Sequence, residues 1–240
     1  SIVHKVTGSS RTFMGEEAAG ISAIETAYYR IRSGESSHAL VGGAYVAERQ
    51  DMILLYEAVN AHAQGDWAPL WSRQNQPGGG VITGSVGVFL VLESRKHANE
   101  RGAKIYANLD RVEGDRGSRE EGRFEKRLER LIADKGEGAD AVVFSGASGM
   151  HDITAREKTV LSETLPKAAI RGYSGVTGHA LEAQFPLGVA LAALAVGNGS
   201  AVPKFDNNAE VDMSAGANCA LVTTVGHSRG EGVAILSRDA

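Results

Sequence analysis

Residues 14–34, MGEEAAGISAIETAYYRIRSG, followed by HALVGG at 38–43, constrain the chain more than any other stretch. Ile21, Ile24, Tyr28 and Ile31 recur three and four residues apart, which puts them on one face of a helix. Glu16 and Glu17 stand in the expected first turn, where a carboxylate is favoured by the positive end of the helix dipole. Gly34 follows the last periodic residue, the usual place for a left-handed C-terminal cap. A short apolar strand at residues 39–41 then runs into Gly42 and Gly43. A tight turn, a buried helix and a buried strand thus follow one another. The front of such a helix is where chemistry is usually placed.

From residue 104 onward the pattern is strand, helix, strand, helix, strand, helix, then a pair of strands. Residues 119–135 read as a charged helix with Leu128, Leu131 and Ile132 as its apolar stripe and its charges as a solvated face. Residues 140–144 form a strand that ends in the Gly-rich turn SGASG, and a helix at 153–165 is closed by Pro166. Residues 168–170 form another short strand. Before this part, residues 2–6 read as a strand and 52–59 as a helix with Asp51 at its start. Residues 63–80 form a long loop broken by Gly65, Pro69, Pro77 and three consecutive glycines. The run VGVFLVL at 86–92 is apolar enough for a strand covered on both faces. Alternating strands and helices argue a parallel or mixed sheet with helices on its faces.

A net charge of -4 with 42% apolar residues gives no reason to propose nucleic acid as a partner. One cysteine among 240 residues excludes a disulfide framework and fits a reducing, cytoplasmic setting. Cys219 lies in the apolar run CALV and reads as a buried small hydrophobe rather than a nucleophile. Neither a signal peptide nor an apolar run long enough to cross a bilayer is expected. The chain starts at Ser1, which is read as a trimmed or processed piece of something longer.

The pattern IRSGESSHALVGGAYVA resembles the segment after the nucleophile in β-ketoacyl-(acyl-carrier-protein) synthases of the thiolase-like fold. The stretch from Trp71 through GGVITG at 79–84, the strand ending in LES at 92–94, and the turn His97 to Ala103 are similar to the same family. The resemblance implies a layered α-β-α-β-α fold of two similar halves. Residues 1–102 would be the later elements of an incomplete first half, and residues 103–240 a complete second half. Counting without gaps from Ile31 puts the family's catalytic cysteine at Glu17. The Gly-His pair at 178–179 makes His179 the family histidine that donates to the thioester carbonyl. The lysine five residues before it is Ser174, and the second catalytic histidine falls on Gly146. His151, five residues beyond Gly146, would need a gap to stand in for it. Pro186, after His179, is expected to kink its helix. Gly226 and His227 take the place of a Gly-Phe turn that gates the acyl pocket.

Three of the four chemical positions are therefore changed. Acyl transfer from a thioester needs a stronger, softer nucleophile than a carboxylate, and donors aimed at the oxyanion. The resemblance then implies a non-condensing, chain-length-factor-like subunit of fatty-acid or polyketide synthesis, with no cofactor and no metal. Its expected partners are an acyl carrier protein and a second subunit, as a homodimer or a heterodimer with an active ketosynthase. A separate or cleaved N-terminal fragment would complete the fold. The alternative is a carrier-linked decarboxylase, hydrolase or acyltransferase that uses His179 and Glu17. A synthase with an unrecognised nucleophile is disfavoured, because the single thiol falls in an expected strand.

Overall fold

The computed structural model describes residues 8–133 and 141–239. The strand expected at 2–6 lies outside the described residues. Helix α1 (Ala18–Arg32) leads to β1 (His38–Tyr45), which pairs antiparallel with β2 (Val86–Glu93) in a two-stranded sheet. Between them come α2 (Gln50–Ala58) and a connection that is more than loop: a 3-10 turn, Leu70–Asn75, buries Leu70 and Trp71. After α3 (Arg95–Glu100), the strands β3 (Asn108–Asp115), β4 (Ala141–Ser145), β5 (Ala169–Gly172), β6 (Cys219–Val225) and β7 (Glu231–Ser237) form a second sheet. Its order is β3-β7-β6-β4-β5. The pairs β4–β5 and β4–β6 are parallel, and β7 runs antiparallel to β6 and β3. Its central strands carry apolar residues on both faces because helices cover both.

The helices fall into layers for that reason. Helix α1 and helix α7 (Gln184–Asn198) lie between the two sheets. Ile21, Ile24 and Ala27 of α1 and Phe185, Val189, Ala192 and Val196 of α7 pack with Val41 of β1 and Val142, Val222 and Ala234 of the large sheet. Ile24 and Ala192 have no exposed surface, and truncating a side chain like Ile24 to alanine typically costs about 2–5 kcal/mol. Helices α4 (Arg123–Ile132) and α5 (Ile153–Thr164) cover the far face through Phe124, Leu128, Leu131, Val160 and Leu161. A short turn of helix, α6 (Ser174–Thr177), joins β5 to the segment that carries His179. The sequence of layers is the expected thiolase-like α/β arrangement.

Several expectations need correction. Pro186 does not kink a helix: it is the third residue of α7, where a missing N–H forfeits no intrahelical bond. Residues 181–198 are long and apolar enough to span a bilayer by length and composition, contrary to the sequence reading, with a mean hydropathy of 1.2. They comprise a 3-10 turn, Leu181–Ala183, and the core helix α7, whose place between the sheets explains the apolarity. The charges near α4 are not simply a solvated face: Arg119 and Arg127 both pair with Glu231, which is fully buried. The strand expected at 39–41 is the middle of the longer β1 and is paired along one side by β2 of the same chain. On the sheet's outer face, Leu40, Phe89 and Val91 are exposed.

Candidate functional site

Three segments distant in sequence converge at the N-terminal end of α1. Glu17 precedes the helix in helical geometry, yet its side chain makes no capping bond. It reaches instead to His179, whose Nε2 lies 2.7 Å from Oε1 across 162 residues of chain. Both side chains have no exposed surface.

His179 is held by its backbone. Its N–H donates to the Ile82 carbonyl at 2.8 Å, and its own carbonyl accepts from Gly84 at 2.9 Å, a parallel bridge between residues 83 and 179. Such close approach requires the two glycines. A Cβ on Gly84 would stand 1.8 Å from the Thr177 carbonyl oxygen, and Gly178 lies at φ +71° against Gly84. The glycine-rich end of the long connection is therefore the shelf on which His179 sits.

The turn between β6 and β7 supplies His227. It is closed by Gly226 N–H donating to the Gly230 carbonyl at 2.7 Å. Arg119 pins it by donating to the Gly226 carbonyl at 2.8 Å, the Gly230 carbonyl at 3.1 Å and Glu231 at 2.5 Å. The His227 Nε2 comes within 3.4 Å of Glu17 Oε1, and its ring is 5.1 Å from that of His179. Tyr56 of α2 meets His227 edge-on at 5.7 Å and stacks on His62 at 5.3 Å.

Burial pushes the Glu17 carboxyl upward, but the facing His227 and His179 rings prevail and hold it down to about 2. Burial lowers His227 below the ordinary histidine value. Glu17 is thus an ionised, buried carboxylate engaged by an imidazole. A His179 that donates to Glu17 does not offer that proton to a thioester oxygen.

The structure brings together all four residues singled out from the sequence: Glu17, His179, Gly226 and His227. A Cβ added to Gly226 would be 3.1 Å from Glu17 Oε2. The other positions that the resemblance singles out are filled by packing. A Cβ on Gly146 would meet Thr224 Oγ1 at 2.5 Å, the Tyr173 hydroxyl at 2.7 Å and the Thr223 carbonyl at 2.9 Å, which leaves no room for an imidazole. Ser174 is buried in a neutral network: its Oγ accepts from Gln184 Nε2 at 2.8 Å, while Gln184 Oε1 accepts from Ala180 N–H at 2.9 Å. His151 contacts the Arg73 carbonyl at 2.6 Å through Nε2 and lies outside the cluster.

Sequence reasoning missed Tyr56 and Arg119. Tyr56 is the one buried residue of α2, but its neighbours Ile53, Leu54 and Leu55 gave no way to single it out. Arg119 sits in a run of charges, and its partner Glu231 is 112 residues away.

Residues 1–98 match the family model of the N-terminal domain of β-ketoacyl synthases. No curated protein matches the sequence. Among solved structures, the fold is similar to a type II polyketide ketosynthase in complex with its acyl-carrier protein (22% identity, TM-score 0.76, 96% of this chain and 63% of that one). It is also similar to the ishigamide ketosynthase/chain length factor (20% identity, TM-score 0.76, 96% and 61%). A third likeness is to a beta-ketoacyl synthase from Burkholderia phymatum (19% identity, TM-score 0.75, 95% and 61%). The chain therefore spans a little over three-fifths of the length of these relatives. Its first 98 residues thus carry the signature of the synthase N-terminal domain, and the fold of the described residues is that of the thiolase-like ketosynthases.

Proposed function

We propose that this chain is a non-condensing, chain-length-factor-like partner of an active ketosynthase in fatty-acid or polyketide synthesis. The observation that carries the reading is the buried Glu17–His179 pair where the family holds its cysteine and histidine, closed at 2.7 Å. A carboxylate in that bond is a poor nucleophile towards a thioester, and its partner has no proton aimed at an oxyanion. The packing around Gly146 and the neutral bonds of Ser174 support the same reading, since neither position supplies a base or a cation.

The partner role draws support from the outer face of β1 and β2. Leu40 is 71% exposed, Phe89 64% and Val91 58%, an apolar patch that a neighbouring subunit or fragment would cover. The enzymatic alternative, a carrier-linked decarboxylase or hydrolase built on Glu17 and His179, is favoured by their short contact. Their complete burial counts against it, because substrate has to reach a general base. Purification from the native host with identification of stoichiometric co-purifying chains tests the proposal. A ketosynthase that retains its cysteine is the expected companion. A chain that purifies alone and turns over an acyl-carrier thioester would overturn the reading.

A further inference from the structure

We propose that Glu17, His179 and His227 form a binding site for one divalent transition-metal ion of the zinc type. One ligand atom from each lies within 4.8 Å of the other two, in a place buried from solvent except beside His227, whose side chain is 13% exposed. The inference goes beyond the partner role and does not depend on it.

The hydrogen bonding of the cluster is incomplete in a way that points to a cation. Glu17 Oε2, His227 Nε2 and His179 Nδ1 are buried with no hydrogen-bond partner among the described residues. Buried polar atoms are nearly always satisfied, and an unsatisfied group calls for an explanation such as an ion. Here a free carboxylate oxygen and an unpartnered imidazole nitrogen belong to two residues that already approach to 3.4 Å, through Glu17 Oε1 and His227 Nε2. The ion pair of Glu17 with His179 accounts for Oε1 alone. It leaves His227 Nε2 facing the carboxylate without a bond.

The donor set is chemically specific. Two imidazoles and one carboxylate suit zinc and its neighbours in the first transition row, whereas magnesium and calcium prefer all-oxygen sites. Bonds of about 2.0–2.2 Å to a tetrahedral ion set neighbouring donors roughly 3.3 Å apart. The Glu17–His227 separation of 3.4 Å fits that spacing, and the 2.7 Å between Glu17 and His179 must open by about half an ångström. The proton in that short bond then moves to His179 Nδ1, leaving a neutral imidazole with its Nε2 lone pair on the metal. Three protein ligands leave a fourth position for water on the side of His227. The metal would tie together the head of α1, the segment that rests on Gly84 and the β6–β7 turn, three pieces far apart in sequence.

The test is metal binding by the folded, chelator-stripped chain, measured with Zn²⁺ by calorimetry and with Co²⁺ by visible absorption. The expected result is one ion per chain and the intense absorption of tetrahedral Co²⁺. His227→Phe keeps an aromatic ring against Tyr56 and removes one ligand. Outer-shell changes alone weaken metal sites by about 10–100-fold, so this variant should weaken Zn²⁺ by at least about 100-fold. Glu17→Gln should do the same, while His151→Ala should bind as the unaltered chain does. Circular dichroism confirms that each variant is folded, and His227→Phe decides if Glu17→Gln is not. Absence of Zn²⁺ binding by the unaltered chain, or binding that survives His227→Phe undiminished, would overturn the site while leaving the partner proposal intact.

Discussion

By the family resemblance, Gly146 stands where active synthases carry their second catalytic histidine, and the contacts around it set the cost of replacing it with histidine. The first atom added, Cβ, would come 2.5 Å from Thr224 Oγ1 and 2.7 Å from the Tyr173 hydroxyl. That hydroxyl cannot swing away cheaply. It donates to the Gln184 carbonyl at 2.8 Å, and its ring is fully buried beside Gly188. Overpacking a tight core costs about 1–3 kcal/mol. Breaking the tyrosine's bond leaves a buried polar group unsatisfied, at about 1–3 kcal/mol. A combined loss of about 2–6 kcal/mol is a large part of a typical stability of about 5–15 kcal/mol. In a chain of this length it lowers the melting temperature by roughly 4–24 °C. Urea unfolding followed by circular dichroism measures it, with Thr224→Ala added as a second change that should recover part of the loss. A Gly146→His variant within about 0.5 kcal/mol of the parent would mean that room for the second histidine exists. This position would then be open, not closed by packing.

Other outcomes rest on the same contacts. Burial raises the Glu157 carboxyl above its ordinary value although it accepts from Thr223 at 2.7 Å and Ser145 at 2.8 Å, with Arg119, His179 and Tyr173 as the titratable groups facing it. The folded state therefore binds the proton more tightly than the unfolded chain, and ionisation opposes folding. Glu157→Gln should match the parent below about pH 4 and gain stability over it as pH rises through the raised value, read from urea midpoints across pH. Arg119→Met removes donors from two carbonyls and one of the two guanidinium groups on buried Glu231, and should cost about 2–4 kcal/mol in urea unfolding. An effect under about 1 kcal/mol would show that Arg127 alone suffices. Glu17→Cys should give no ketoacyl product above background, because catalytic groups act as sets and Gly146 and Ser174 still lack the others.

How far the sequence could be read depended on whether the signal was local. The period of Ile21 and Ile24 announced α1 and the apolar run at 141–144 a strand, whereas the run at 86–92, read as covered on both faces, leaves Phe89 and Val91 exposed on one of them. Glu17, His179 and His227 could be named because each stands at a position of a recognisable family pattern. Their meeting could not be read, since it depends on glycine contacts such as Gly84 against Gly178 that join remote segments. Pro186 was misjudged because the start of α7 was invisible: three residues decide whether a proline kinks a helix or opens it. The ion pairs of Glu231 were hidden for a related reason. Charge runs look alike whether they face water or a buried carboxylate supplied by a distant strand.

A non-condensing role requires above all that position 17 cannot carry an acyl group. Intact-mass spectrometry of the chain after incubation with an acyl-carrier thioester puts that requirement to the test in one step. An unchanged mass is expected, because a carboxylate at position 17 is a poor nucleophile towards a thioester. A mass increase equal to one acyl group, mapped to Glu17 or any other residue, would contradict it.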